Sequence, residues 1–171
     1  MNKLGFIGMG NMAQALAAGF IKAKAIAPEK VFAFAPNQEK LQRNAKAIGF
    51  TPVANLAALA DAADTLIMAC KPYQIASVLK DFGQKLNGKA LISVAAGWDM
   101  AHYQKFLQTD TRLQFVMPNT PALVGEGVLL FEESNSLEPA ERQQIMQLFA
   151  SVGLVQELPS NLMGIGGTVT G

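Results

Sequence analysis

Residues 3–13 read KLGFIGMGNMA. A short apolar run ends in a glycine turn, and apolar side chains then recur at helical spacing over residues 11–24. Gly8, Gly10 and Ala13 form a G-x-G-x-x-A pattern, in which the glycines allow a tight turn and close phosphate approach. A small residue at position 13 lets the helix pack closely on the strand. We therefore predict that this turn and the N-terminus of its helix bind the pyrophosphate of a dinucleotide.

The rest of the chain alternates between apolar strands and amphipathic helices. Further strands are predicted at 31–35, 51–53, 65–70, 90–95, 113–116, 128–131 and 155–158. Helices are predicted at 38–48, 56–62, 75–86, from an N-cap at Asp99 to Leu107, and at 139–151. Several strands are apolar throughout, which is typical of strands buried on both faces. The pattern predicts an α/β chain of the Rossmann type, a doubly wound and mainly parallel sheet with helices on both faces.

Composition excludes several other classes. The 171 residues carry 14 Lys and Arg against 13 Asp and Glu, a net charge of +1, and half of them are hydrophobic. This balance argues against a disordered chain, a nucleic-acid binder and a charged membrane binder. One cysteine excludes an internal disulfide, no apolar run reaches roughly 18 residues, and the N-terminus lacks the apolar core of a signal peptide. A soluble cytoplasmic protein is expected.

The end of the second strand bears on the choice of dinucleotide. An NAD site usually places Asp or Glu there, but this chain has Ala35, Pro36 and Asn37. No acid would repel a 2′-phosphate, and Lys40 and Arg43 lie in the helix that follows. The residues favour NADP and leave NAD open.

Two loops carry candidate catalytic side chains. Lys71 follows a buried strand, and Asn119 and Thr120 stand between two prolines after another. Both loops should lie beyond carboxyl ends of strands, where open α/β sheets bind ligands. The single histidine, His102, lies in a polar helical stretch, and Cys70 is interpreted as a small buried side chain. Neither a metal site nor a Ser-His-Asp triad is predicted.

Four motifs together resemble a known family. They are FIGMGNMA at 6–13, KP at 71–72, SVAAG at 93–97 and MPNTPA at 117–122. In order and spacing they resemble Δ1-pyrroline-5-carboxylate reductase, from the start of the chain to about residue 160. The resemblance implies NAD(P)H-dependent reduction of a cyclic imine, 1-pyrroline-5-carboxylate, to L-proline.

The resemblance also implies roles for individual residues. It implies cofactor contacts at Ile7, Gly8, Met9, Gly10, Asn11, Met12, Ala35, Asn37, Asn55, Ala69, Cys70, Lys71, Pro72, Val94, Ala95 and Ala96. Asn119 falls in the segment beside the nicotinamide, and with Thr120 and Lys71 it completes the set of candidate catalytic residues.

The glycine-rich tail at residues 161–171 looks different from the preceding nucleotide-binding domain at residues 1–160. Four glycines stand in its last eight residues, so we expect a linker that forms no regular element. Family members continue past this point into a helical domain that dimerises and holds the carboxylate of the imine. The resemblance thus implies that this chain is the cofactor domain of a homo-oligomer.

Two alternatives stay open. One is another reductase with the same nucleotide domain, of the β-hydroxyacid dehydrogenase type or the coenzyme F420-dependent NADP reductase type. MPNTPA disfavours the first of these. The other alternative is a stand-alone NADP-binding module, which should end in a polar cap rather than in a glycine-rich segment.

Overall fold

The computed structural model describes residues 3–98 and 100–170. Within these ranges the strands are β1 (Leu4–Ile7), β2 (Val31–Phe34), β3 (Thr51–Pro52), β4 (Thr65–Met68), β5 (Ala90–Ser93), β6 (Arg112–Met117), β7 (Gly127–Asn135) and β8 (Gly153–Leu158). The helices are α1 (Asn11–Lys22), α2 (Gln38–Ile48), α3 (Leu56–Ala62), α4 (Pro72–Phe82), α5 (Met100–Gln104), α6 (Pro139–Ala150) and α7 (Met163–Thr170). Among the described residues, no helix has both the length and the hydropathy needed to span a bilayer.

All eight strands form one sheet in the order β3-β2-β1-β4-β5-β6-β7-β8. Every neighbouring pair is parallel except β6 and β7. Only residues 118–126 connect β6 to β7, which is too short for the crossover of roughly a dozen residues that a parallel pair needs. The predicted Rossmann-type architecture is confirmed, and its direction of winding reverses between β1 and β4, where such sheets bind ligands.

Helices cover both faces of the sheet. On one face α1, α2 and α6 bury Leu16, Phe20, Leu41, Ile145 and Phe149. On the other, α3, α4 and α5 bury Leu59, Ile75, Leu79, Phe82 and Tyr103. Because β1 is buried on both sides, it places Leu4 and Phe6 in the first cluster and Ile7 in the second.

Strands β4 and β5 end two residues earlier than predicted, at Met68 and Ser93, β8 begins two residues earlier, at Gly153, and the boundaries differ more at three other elements. Helix α4 begins at Pro72 and gives way to a 3-10 turn at Gly83, where an added Cβ would lie 2.5 Å from the Phe106 carbonyl oxygen. Strand β7 extends to Asn135, beyond its apolar part. Helix α5 ends at Gln104, and its expected N-cap, Asp99, lies outside the described residues.

The glycine-rich tail is helical, which contradicts the expectation of an irregular linker. Residues Met163–Thr170 form α7. Gly167 lies against the Met117 sulfur, and an added Cβ at Gly166 would lie 2.7 Å from Leu158 and 2.8 Å from Leu130. The glycines therefore let the helix backbone approach β6, β7 and β8 more closely than any larger residue would. Tertiary packing here overrides the low helix propensity of glycine.

Candidate cofactor and active site

Gly8 follows β1 and contacts the ends of β2 and β4 at the carboxyl edge of the sheet. It has a φ of +95°, and an added Cβ would lie 2.8 Å from the Cys70 nitrogen. Its N–H donates a hydrogen bond of 2.8 Å to the carbonyl of Phe34, at the end of β2. Both its conformation and the close approach of the loop after β4 require glycine. The predicted tight turn is thus also a close contact with a second loop of the site.

The N-terminus of α1 is open towards solvent. Gly10 is its N-cap with an extended backbone (φ −77°, ψ −174°), and no side chain caps the helix. An added Cβ at Gly10 would meet no atom of the described residues within 4 Å, and Gly10 and Asn11 are exposed. The first N–H groups of a helix have no partner within it and carry a partial positive charge. This end of α1 therefore suits a phosphate group, as the glycine pattern predicted.

The residues after β2 and β3 serve as helix caps. Asn37 caps α2 by accepting a hydrogen bond of 2.9 Å from the Lys40 N–H, and Asn55 caps α3 by accepting one of 2.8 Å from the Ala58 N–H. These contacts engage the side-chain oxygen of each asparagine. Its amide nitrogen has no hydrogen-bond partner among the described residues, so it could donate to a ligand. Sequence reasoning assigned both residues to the cofactor and missed the capping role, although Asn before a helix is its usual signal.

Gln38 was missed as a residue at the same edge. Its amide donates a hydrogen bond of 2.8 Å to the carbonyl of Ala35, which is half-buried just beyond β2. Lys40 and Arg43 are exposed on α2, as a role in binding a 2′-phosphate requires.

The loop after β4 holds Ala69, Cys70, Lys71 and Pro72. Lys71 is exposed at the N-cap of α4, where its N–H donates a hydrogen bond of 3.2 Å to the Gln74 side chain. Cys70 is half-buried, with its sulfur 3.5 Å from the sulfur of Met68. Burial raises the pKa of the Cys70 thiol from 9.0 to about 11, so the group stays protonated at neutral pH and is a poor nucleophile.

The loop after β5 lies beside the loop after β4 because the two strands are neighbours in the sheet. The Val94 N–H donates a hydrogen bond of 3.1 Å to the Met68 carbonyl, which extends the parallel ladder by one residue. Ala95 is buried and Ala96 is exposed.

Asn119 uses both ends of its side-chain amide within the chain. Its oxygen accepts a hydrogen bond of 2.8 Å from the Val128 N–H, and its nitrogen donates one of 2.8 Å to the Thr170 carbonyl. The side chain thereby joins the loop after β6 to both β7 and α7. Thr120 is exposed and begins a 3-10 turn that ends at Val124.

The structure brings most of the sequence-predicted residues to one edge of the sheet. The loops after β1, β2, β4, β5 and β6 all leave from carboxyl ends of parallel strands, so they share this edge. His102 is exposed and lies in α5, on which no predicted site residue stands. Trp98 packs against the Tyr103 ring at 5.1 Å.

Comparison with known proteins agrees with this geometry. Residues 3–97 match the family model described as NADP oxidoreductase, coenzyme F420-dependent. A pyrroline-5-carboxylate reductase from Treponema pallidum is 33% identical over 98% of this chain and 65% of its own length. One from Methanosarcina acetivorans is 32% identical over 94% of this chain and 60% of its own length.

A solved structure extends the likeness to the fold. The pyrroline carboxylate reductase of Plasmodium falciparum with NADP bound is 29% identical, with a TM-score of 0.89 over 98% of this chain and 62% of that one. The chain thus spans less than two thirds of the length of these relatives. The resemblance to pyrroline-5-carboxylate reductase is confirmed, and the chain belongs to the family of NADP oxidoreductases.

Proposed function

We propose that this chain is the cofactor-binding part of an NADPH-dependent reductase that converts 1-pyrroline-5-carboxylate to L-proline. The observation that carries the proposal is the likeness to pyrroline-5-carboxylate reductases along nearly the whole chain. The open N-terminus of α1 fits the pyrophosphate of NADPH, and the absence of an acid at Ala35 fits its 2′-phosphate. NAD remains the alternative cofactor.

The reaction places modest demands on the protein. When bound, NADPH supplies a hydride to the imine carbon, while a proton ends on the ring nitrogen, so that C=N becomes CH–NH. A protonated imine is already a strong electrophile, so hydride delivery needs no general base. The chain has to hold the imine carbon close to C4 of the nicotinamide and to exclude water.

We assign different parts of this task to different loops. Residues 7–12 and the N-terminus of α1 hold the phosphates. Residues 69–72 and 94–96 form the walls beside the nicotinamide. Lys71 and Thr120 are exposed, and we assign them to contacts with the reacting molecules. Asn119 has both polar atoms engaged within the chain, so we assign it to positioning the loop that presents Thr120.

A second candidate rests on the description of the matching family model, which names coenzyme F420. In that case NADP would exchange a hydride with a deazaflavin instead of an imine. The MPNTPA segment at 117–122 and the reductase relatives favour the imine.

The test is a single-turnover reaction with NADPH carrying deuterium at C4. The purified chain, in excess over cofactor deuterated at both C4 positions, is mixed in parallel reactions with 1-pyrroline-5-carboxylate, F420 or a β-keto acid, and the products are analysed by mass spectrometry. We expect monodeuterated proline. Label transfer to F420 or to a β-keto acid, with none to the imine, would assign the chain to the corresponding rival. Because we expect slow turnover by this chain, each reaction is followed until the cofactor is consumed or degrades. Cofactor binding without transfer to any of the three acceptors over that time would indicate a stand-alone nucleotide-binding module.

A further inference from the structure

Ser93 and Tyr103 form a buried pair of hydroxyl groups directly beneath the proposed nicotinamide wall. Ser93 is the last residue of β5, and Tyr103 lies on α5. Both are 0% exposed, and their oxygens are 2.8 Å apart. Sequence reasoning gave neither residue a role. Tyr103 stands in a stretch of polar side chains, so its burial could not be predicted.

The pair reaches the loop after β5 through one more hydrogen bond. The Ala95 N–H donates to the Ser93 oxygen at 3.4 Å. The preceding N–H, that of Val94, still bonds to the neighbouring strand at Met68. Ala95 is therefore the residue at which the loop leaves the sheet, and the Ser93 hydroxyl accepts the hydrogen bond of its N–H.

The Tyr103 hydroxyl is suited to a fixed role. Burial raises its pKa well above the ordinary 10, so it stays protonated and can donate to Ser93. Its ring packs on Trp98 in a T-shaped contact at 5.1 Å. Cys70, from the wall after β4, packs against the same core cluster. One residue of each proposed wall, Cys70 and Ala95, thus packs in the cluster that contains Tyr103, whereas Ala69 and Val94 pack against the cluster on the other face.

We infer that the Ser93–Tyr103 hydrogen bond positions the loop at 94–96 against the nicotinamide half of the cofactor. The inference rests on the proposed function, because it requires that this loop face the nicotinamide. In this arrangement α5 positions the loop at 94–96 through the Tyr103 hydroxyl, which bonds to the Ser93 hydroxyl, which in turn accepts from the Ala95 N–H. Neither residue contacts the cofactor, so both are positioning residues. Loss of the bond should loosen the nicotinamide end of the site and leave the adenosine end intact.

The test compares two ligands. NADPH engages both ends of the site, whereas adenosine 2′,5′-bisphosphate has the adenosine half and no nicotinamide. Tyr103→Phe removes one hydroxyl and keeps the ring, and Ser93→Ala removes the other. Binding of each ligand to each variant is measured by calorimetry. Trp98, the single tryptophan, provides an independent signal through energy transfer to NADPH.

Thr111→Val is the matched control. Thr111 is buried, and its hydroxyl donates a hydrogen bond of 3.1 Å to the Leu86 carbonyl. It precedes β6 and so lies at the amino edge of the sheet, away from the site. Its substitution also removes one buried hydroxyl hydrogen bond, so it measures the general effect of lost stability on ligand binding.

We expect Tyr103→Phe and Ser93→Ala each to weaken NADPH binding about 5- to 10-fold and to change bisphosphate binding less than about twofold. The double variant should bind NADPH no more weakly than Ser93→Ala, because that variant already removes both the bond to Tyr103 and the bond from the Ala95 N–H. Thr111→Val should lower the melting temperature without changing the ratio of the two affinities.

Two results would overturn the inference while the proposed function stands. One is an unchanged ratio of affinities in both Tyr103→Phe and Ser93→Ala, and the other is additive losses in the double variant. Ser93→Ala decides the matter if Tyr103→Phe fails to fold. An unsubstituted chain that bound neither ligand would instead refute the proposed function, and the inference with it.

Discussion

Gly8 and Gly10 stand two positions apart in one motif, yet the structure predicts opposite consequences for their substitution. At Gly8 an added Cβ would lie 2.8 Å from the Cys70 nitrogen and 3.0 Å from the Ala69 carbonyl carbon, at a φ of +95°. At Gly10 an added Cβ would meet nothing within 4 Å, and the backbone is extended. We therefore infer that the fold requires Gly8, whereas only the proposed cofactor requires Gly10.

The magnitudes follow from these contacts. Gly8→Ala combines positive-φ strain of roughly 1–2 kcal/mol with overpacking of roughly 1–3 kcal/mol. At about 2–4 °C per kcal/mol for a chain of this size, the melting temperature should fall by about 4–20 °C. Gly10→Ala should change the free energy of unfolding by no more than about 0.5 kcal/mol. It places a methyl group where the phosphates approach, and loss of one charge-assisted hydrogen bond there should weaken NADPH binding about 10- to 100-fold.

Both effects can be measured on the same purified variants, by thermal unfolding without ligand and by calorimetric titration with NADPH. Gly164→Ala is the control, because an added Cβ at that exposed position also meets nothing within 4 Å. It should leave NADPH affinity unchanged. Equal destabilisation by Gly8→Ala and Gly10→Ala would refute the separation of roles, and an unchanged dissociation constant in Gly10→Val would refute the assignment of this loop to the cofactor.

Five further outcomes are expected. Ala35→Asp should weaken NADPH binding more than NADH binding, by about 1–3 kcal/mol, because a carboxylate would lie near the 2′-phosphate; an equal loss for both cofactors in titrations would contradict this. Iodoacetamide should alkylate Cys70 slowly at pH 8, with a rate that rises towards pH 11, since the raised pKa of the thiol keeps it protonated. Because the pKa of the Cys70 thiol is higher in the folded chain, its contribution to stability is present below pH 9.0 and lost as the pH rises towards about 11. The melting temperature of the wild type should therefore fall over that range relative to that of Cys70→Ser, and a constant difference between the two would contradict this. Asn119→Asp keeps the acceptor for Val128 but loses the donor to Thr170, so hydrogen exchange should speed up in α7 and not in β7, whereas Asn119→Ala should speed it in both. The 171-residue chain should bind NADPH but turn over slowly, because positioning of the imine, worth up to about 7–11 kcal/mol, would depend on parts of the relatives that this chain does not match. Dimerisation should also be weak, because the family resemblance places the dimer contacts in those parts. Turnover and light scattering comparable with those of a full-length reductase would contradict these two expectations.

Much of the fold and of the candidate site was predictable from local sequence. Strands such as TLIM at 65–68 are apolar throughout because parallel strands are buried on both faces, and the helices between them carry their own period and caps. Given alternating strands and helices, loops after strands share one edge of the sheet. The position of residues 7–12, 69–72 and 94–96 in one site therefore follows from their position along the chain.

Other features depended on contacts between residues far apart in sequence. The helical state of α7 and the hydrogen bond from Asn119 to Thr170 are of this kind. Asn119 and Thr170 are 51 positions apart, and no local pattern marks them as partners. Glycines at 164, 166 and 167 favour an irregular segment by propensity, and only the surfaces of β6, β7 and β8 make a helix favourable there. The sequence by itself determined which loops lie at the edge of the sheet that forms the candidate site, because strand periodicity and capping are local. Only the tertiary structure decided what holds those loops in place, because the Ser93–Tyr103 and Asn119–Thr170 hydrogen bonds exist only once the sheet and its helices have packed.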